Sequence, residues 1–336
     1  MRRDGTGKLN SAWVLVLILL PVLAAGAALC IGRFSIPPRE VFAALTRGTG
    51  EKLSAVEITV RNIRLPRVLL ALLAGAGLSA AGCAFQSLFA NPLATPDTLG
   101  VASGASFGAA LGLLMNQNLI GMQMLSLGFG ILAVVMTWLA GSGKGRGLSS
   151  VVLGGIMIGS LFNALISFVK FAADEESKLP SITYWLMGGL DKANYKSLAL
   201  GAPAILAGIL VLYLLRWKMN LLPLSEDEIR SSGVNIRLLR GTVVLCATLM
   251  TASCVSMCGQ VGWVGLLIPH MCRMKFGTNH LSLYPASISF GAVFLVIVDT
   301  VARSLTAAEI PVSILTAIIG APFFIVLMRR TGGWSF

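Results

Sequence analysis

Charge is what this sequence has least of. Only 12% of its 336 residues are Asp, Glu, Lys or Arg. A soluble domain of this length carries roughly twice that share, so the composition excludes one. Histidine is nearly absent too, with His270 and His280 the only two. That shortage removes partners from two tempting patterns. "GASFG", Gly104 to Gly108, fits G-x-S-x-G, but an intramembrane serine protease would need a histidine near Ser106. Cys254 and Cys258 share a helix face, but no histidine or acid lies nearby in sequence to complete a metal site. The six cysteines fall in or beside apolar runs, where the thiol acts as a small hydrophobe. No nucleic-acid-binding motif is present. "AGSGKGRG", Ala140 to Gly147, lacks the first glycine and the Ser/Thr of a Walker A loop, and a membrane helix precedes it instead of a strand. Any ATP hydrolysis must come from another chain.

Hydrophobic residues make up 56% of the chain and the mean hydropathy is +0.83. We read an all-α polytopic membrane protein, one transmembrane domain over residues 1–336. Apolar segments recur at 12–32, 65–87, 98–115, 119–140, 148–170, 197–217, 241–258, 261–274, 283–302 and 310–328, giving about ten transmembrane helices. The first is read as a retained span, not a signal peptide. The third and eighth are short or broken by Gly and Pro, which is tolerated only against protein or a cavity. Gly104, Gly108 and Gly112 form a small-xxx-small packing face.

An even number of spans puts both termini on one side, and the basic residues make that side cytoplasmic. Arg2, Arg3, Lys8, Lys144, Arg146, Arg216 to Arg240, Arg273, Lys275, Arg329 and Arg330 all fall there, as the positive-inside rule asks. The exception is the first outer loop, with Arg33, Arg39, Arg47, Lys52, Arg61, Arg64 and Arg67. Arginines on that side meet either lipid phosphates or an acidic partner, whose carboxylates the planar guanidinium binds bidentately. Asp299 and Arg303, and Lys170 and Asp174, are spaced as helical ion pairs near the outer surface.

The cytoplasmic segment at about 219–241 is too short and charged to cross. Ser225 and Glu228 form a capping box. Glu226 and Asp227 suit a helix N-terminus, and Gly233 closes the helix. A second short turn follows from Asn235 to Arg240. The result is a small helix–turn–helix suited to docking a cytoplasmic protein.

Five stretches then carry a resemblance: "RLPRVLLALLAGAGLSAAGCAFQSLFANPLATPDTLGVASGASFGAAL", "LPSITYWLMGGL", "LPLSEDEIRSSGVN", "GQVGWVGLLIPHMCR" and "DTVARSLTAAEIPVSILTAIIGAPFFIVLMRR". In that order, from about Arg61 to Arg330, the chain resembles the FecCD-type permeases of type II ABC importers for iron–siderophores, haem and vitamin B12. Gln260 departs from the Pro or Ala common at its position. The resemblance implies the type II permease fold and a homodimer in the bacterial plasma (inner) membrane, with the pathway on its two-fold axis. It implies two ATP-binding cassette ATPase subunits below and one extracytoplasmic substrate-binding protein above. No cofactor, nucleic acid or bond chemistry is implied for this chain, and membrane lipid is its solvent. Carried over residue by residue, Arg64, Arg67 and Arg303 meet glutamates of the binding protein. Ser225, Glu226, Glu228, Arg230 and Gly233 fall on the ATPase coupling element, and Leu148, Ser149 and Ser150 on a cytoplasmic gate. Iron(III)-siderophore is the expected cargo, with haem or corrinoid next. The rival reading is an ion-coupled secondary transporter, which would need ionisable residues near mid-span.

Overall fold

The structure is a computed structural model that describes residues 9–47, 54–141, 148–306 and 308–330, with the side chains of 148, 226, 230 and 327–330 outside the description. Its helices, in chain order, are α1 (Ser11–Cys30), α2 (Pro38–Thr46), α3 (Ala55–Ile58), α4 (Leu65–Leu88), α5 (Val101–Leu114), α6 (Leu119–Gly141), α7 (Leu148–Ala172), α8 (Lys178–Leu186), α9 (Tyr195–Met219), α10 (Glu226–Ser231), α11 (Ile236–Cys258), α12 (Val264–Phe276), α13 (His280–Leu305) and α14 (Val312–Arg330). A π-helical stretch, Thr59–Arg64, fuses α3 to α4. Seven spans are long and apolar enough to cross a membrane: α1, the continuous Ala55–Leu88, α6, α9, α11, α13 and most of α7. The shorter α5, α12 and α14 stand at the other three expected positions.

The sequence of α4 explains why it becomes the centre of the bundle. "AGAGLSAAGCA" is small on every side, so neighbouring backbones close in all round it. Every residue from Ala74 to Leu88 is buried. α13, α11, α12 and α9 all pack on this one helix. Gly75 and Gly291 meet reciprocally: a Cβ on Gly75 would lie 2.2 Å from the Gly291 carbonyl oxygen, and one on Gly291 2.4 Å from that of Gly75. Gly82 faces Gly265 of α12, and Gly77 faces Ile205 and Cys254. The glycines of the "GASFG" stretch likewise serve packing. Cβ atoms on Gly104 and Gly108 would fall 2.5 and 2.3 Å from backbone oxygens of Phe129 and Leu125 on α6.

Prolines inside spans leave carbonyls without their helical donors. Pro21 releases the Leu17 carbonyl, and Ser289 of α13 donates to it at 2.7 Å. α5 and α12 have 14 and 13 residues, about 20 Å each at 1.5 Å per residue, and both begin beside irregular backbone. The α5 N-terminus is held by Asp97, which accepts from the N–H groups of Ala102 and Ser103 at 3.0 and 3.2 Å. This half-buried carboxylate escaped the sequence reading. Before α12 the chain makes a tight turn, Val264 N–H to Gly262 O at 2.8 Å, with Trp263 at φ +67°. That is a strained angle for a bulky residue. The Trp263 indole lies against Gly320 of α14, where a Cβ would come within 2.7 Å. Here too sits Gln260, its carbonyl against the left-handed Gly188.

Asp97 carries an expected outcome. Asp97→Ala removes the acceptor from a buried helix end and should cost about 1–2 kcal/mol, seen as a lower unfolding midpoint, with Asp97→Asn losing less. Equal midpoints for all three proteins would show that the cap contributes nothing.

Candidate functional site

Two regions gather the candidate residues, one at each end of the bundle. At the end expected to face outward, the C-termini of α1 and α13 meet the start of α4. All three motif arginines are here and all are buried, with Arg64 4%, Arg67 6% and Arg303 6% exposed. Arg64 turns inward and donates to the carbonyls of Leu29 (2.7 Å), Cys30 (3.0 Å) and Phe34 (2.6 Å), its guanidinium 5.0 Å from the centre of the Phe34 ring. These carbonyls belong to the unwound end of α1, so Arg64 acts as its cap. Arg67 makes a fork on Asp299, with Nε at 2.9 and 3.0 Å from the two oxygens and Nη2 at 2.8 Å. Its Nη1 donates to Glu309 at 2.7 Å. Arg303 donates to the Ala28 carbonyl, and its Nε lies 3.8 Å from Asp299.

This geometry amends two expectations. The Asp299–Arg303 pair forms within α13 but is not at the surface: Asp299 is 1% exposed, and its principal partner is Arg67 of α4. The three arginines, expected to present their guanidinium groups outward, spend them here on internal acceptors. The reason is local. The ends of α1 and α13 leave carbonyls and a carboxylate in a site from which water is excluded, and such groups must be paired. Glu309, 26% exposed at its side chain, is the partner of Arg67 nearest to solvent.

Arg61 has a different task. Its guanidinium donates to the carbonyls of Ala44 and Arg47 at the end of α2, and Tyr195 Oη donates to the Arg61 carbonyl at 2.5 Å. The short helix α2, at this same end, exposes Phe42 (70%) along with Arg39. Neither α2 nor α8 was visible in the hydropathy pattern, because both are only nine residues long.

At the opposite end lies the capped element. Ser225 N–H and Oγ–H donate to Glu228 Oε2 at 2.9 and 2.8 Å, and Glu228 N–H donates back to Ser225 Oγ at 3.4 Å. The Ser225 hydroxyl, followed by its backbone N–H, holds the Glu228 carboxyl below the usual carboxylate range. A depressed carboxylate stabilises the folded element above its unfolded pKa, about 4.3. That contribution is lost as pH falls through the folded value. Gly233 has φ +73°, with nothing within 4 Å of the position a Cβ would take. Ile229 is fully buried and pins α10 to the bundle, whereas Leu224 (43%) and Leu238 (71%) face outward. The expected second short turn is instead the first part of α11. Asn235 caps that helix by accepting from Leu238 N–H at 3.2 Å, so the span extends back to Ile236. The side chains of Glu226 and Arg230 lie outside the described residues, as does that of Leu148. Ser149 is exposed and Ser150 half-buried in the first turn of α7. Gly141 of α6 abuts this turn, its Cβ position 2.6 Å from Val151 Cα. The glycine-rich "GSGKGRG", 141–147, lies outside the described residues after Gly141. Among the described residues no group of His, Cys, Asp and Glu could hold a metal ion.

Comparisons with known proteins agree with this architecture. The FecCD transport family model matches residues 16–330. The molybdate import system permease protein MolB of Haemophilus influenzae is 40% identical over 334 residues, 98% of each chain. The hemin transport system permease protein HmuU of Yersinia pestis is 34% identical over 322 residues, 94% of each chain. A solved ABC transporter, provisionally assigned to the metal-chelate type and captured facing inward, superposes with a TM-score of 0.86 at 38% identity. That match covers 96% of this chain and all of the other. A bundle built round a glycine-lined central helix, with a family match that runs nearly end to end, leads to one assignment: the chain belongs to the FecCD transport family.

Proposed function

We propose that this protein is the membrane-spanning permease subunit of a binding-protein-dependent ABC importer, working as a homodimer with two ATPase subunits and one extracytoplasmic binding protein. The observation that carries the reading is the near end-to-end similarity to relatives that are themselves import permeases. The capped α10 supports it, as a small rigid element pinned by Ile229 and flanked by exposed Leu224 and Leu238. In this reading Ser225, Glu226, Glu228, Arg230 and Gly233 belong to the ATPase dock, and the chain's N- and C-termini are cytoplasmic. Leu148, Ser149 and Ser150 are the cytoplasmic gate at the start of α7. Movement of the ATPases passes through α10, and the helices around the dimer axis open one end at a time.

The test is uptake by proteoliposomes holding permease, ATPase and binding protein. Uptake should require ATP and persist when ion gradients are collapsed; dependence on a gradient without ATP would favour a secondary transporter. Gly233→Val forces a β-branched residue into a left-handed conformation, at a cost of about 1–2 kcal/mol, in a place with room for the side chain. It should leave the membrane domain folded and uncouple ATPase stimulation by the binding protein. Normal stimulation in a folded Gly233→Val protein would remove α10 from the coupling path.

For cargo we propose an iron(III) chelate of the siderophore type. Relatives named for iron chelatin and Fe(3+)-citrate, at 39% and 36% identity, support it. The molybdate permease relative supports a second reading, an oxyanion cargo. Competition of labelled iron(III) chelate against molybdate for binding and uptake separates them.

For the outer dock, we place the binding protein over the Arg64, Arg67 and Arg303 corner. Because these arginines are internally engaged, a partner carboxylate would have to displace Glu309 to reach Arg67. Glu309→Gln should then tighten docking a few-fold, since it weakens the internal competitor, and raised salt should weaken it. Docking indifferent to both changes would make the corner structural only.

A further inference from the structure

A groove between α1 and α9, floored by α4 and α13, has no role in the mechanism above. It has a volume of about 670 Å³. On α9 its wall is Leu206, Ile209, Tyr213 and Arg216, a spacing that keeps all four on one helix face. The Leu206–Arg216 wall is ten residues long, about 15 Å, which is half of a bilayer core of roughly 30 Å. The groove therefore has the depth of one leaflet, the one on the side of the α9 C-terminus and the α1 N-terminus.

Its polarity is graded along that depth. The interior is apolar. Of the two lining side chains with a hydroxyl, Ser289 turns its own away to the Leu17 carbonyl and Tyr213 stands near the mouth, beside Arg216. The mouth carries Arg216, whose guanidinium lies 3.9 Å from the centre of the Tyr213 ring and donates through Nη1 to the Tyr213 carbonyl at 2.6 Å. A guanidinium has five N–H donors, so the same group can also meet an anion. Among the described residues no carboxylate lines the groove. At the same end Lys275 stands 4.7 Å from the centre of the Trp13 ring, a second cation held at an aromatic ring at the level where aromatic and basic side chains meet lipid headgroups.

We infer that the groove is a binding site for one anionic phospholipid of that leaflet, an acyl chain lying between α1 and α9 and the phosphate meeting Arg216. Charge complementarity selects the occupant: a cation at the mouth, an apolar leaflet-deep interior and no acid among the described lining residues. A zwitterionic lipid would fill the same apolar space but would bring its own cation to Arg216.

The test is lipid retention by the full chain extracted from membranes containing equal phosphatidylglycerol and phosphatidylethanolamine, read by native mass spectrometry. Wild type should hold one phosphatidylglycerol per chain through a detergent wash that strips phosphatidylethanolamine. Arg216→Gln should cut that preference about fivefold, the worth of one basic contact at a membrane surface, and Arg216→Lys should keep most of it. Ala292→Phe, which fills the groove floor, should abolish retention of phosphatidylglycerol as well. Equal retention of the two lipids by wild type, or an unchanged preference in Arg216→Gln, overturns the site. So does an Ala292→Phe protein that changes its oligomeric state while retaining lipid, which would give the groove to a protein partner. If Ala292→Phe does not fold, the two Arg216 variants decide the matter alone.

Discussion

Arg67→Met is expected to lower stability by about 3–5 kcal/mol, the cost of leaving one member of a buried ion pair without the other. The substituted side chain fills the space but offers no donor. Asp299, 1% exposed, then keeps only Arg303, whose Nε is 3.8 Å away and beyond hydrogen-bond distance. Asp299→Leu should cost a similar amount by the opposite route, since Arg67 would retain only Glu309. The informative protein is the double variant Arg67→Met/Asp299→Leu. It removes both charges together, and replacing a buried pair by apolar residues is often close to neutral. Its loss should therefore fall at least about 2 kcal/mol short of the summed single losses. Unfolding midpoints in one detergent measure this, and additive losses would show that the fork holds nothing. The same geometry bears on docking experiments. Arg67→Glu would set a third carboxylate against Asp299 and Glu309, so weak binding by that protein would report a disrupted outer corner and not a lost partner contact.

Seven of the spans were legible because each is a long apolar run, and the shorter α5, α12 and α14 because each is still a mainly apolar stretch between turn or charged residues. The capped α10 was legible because a capping box and a left-handed glycine are local chemistry: Ser225, Glu228 and Gly233 need no tertiary partner to act. The orientation of the arginines was not legible. Arg67 and Asp299 are 232 residues apart in sequence, and no periodicity in either helix announces the other. Charge counting treated every outer arginine as a surface residue. In the fold, Arg64 and Arg303 answer carbonyls at the end of α1, a demand that exists only once α1, α4 and α13 are side by side. Asp97 was missed for a related reason. It precedes α5 by four residues, and the cap it supplies becomes visible only when the turn at Pro96–Leu99 folds it back over Ala102 and Ser103. The central place of α4 could have been read from its run of small residues, which only a helix enclosed on all sides would keep.

The largest effect belongs to Gly82→Val. A Cβ there would sit 1.8 Å from the Gly265 carbonyl oxygen and 2.5 Å from its carbon. Both are backbone atoms, so no rotamer change relieves the overlap, and the two helices must separate. Gly265 is itself tightly enclosed, with Pro96 2.5 Å and the Leu78 carbonyl of α4 2.8 Å from its own Cβ position, so the crossing has little slack. Pro269 adds a reason for the closeness. It has no N–H for the Gly265 carbonyl four residues earlier, so that oxygen is free to be pressed against α4. Overpacking of a core costs about 1–3 kcal/mol when side chains can adjust, and a backbone contact between two buried helices lies beyond that range. Gly82→Val should therefore yield no folded protein, and Gly82→Ala a protein with a markedly lower unfolding midpoint. Gly128→Ala is the matched control. It lies in α6, its Cβ position has no neighbour within 4 Å, and it should be neutral or gain up to about 1 kcal/mol from helix propensity. Size-exclusion profiles and unfolding midpoints of the three variants check the ordering. A monodisperse Gly82→Val protein with the midpoint of wild type would mean that α4 and α12 do not cross at this glycine.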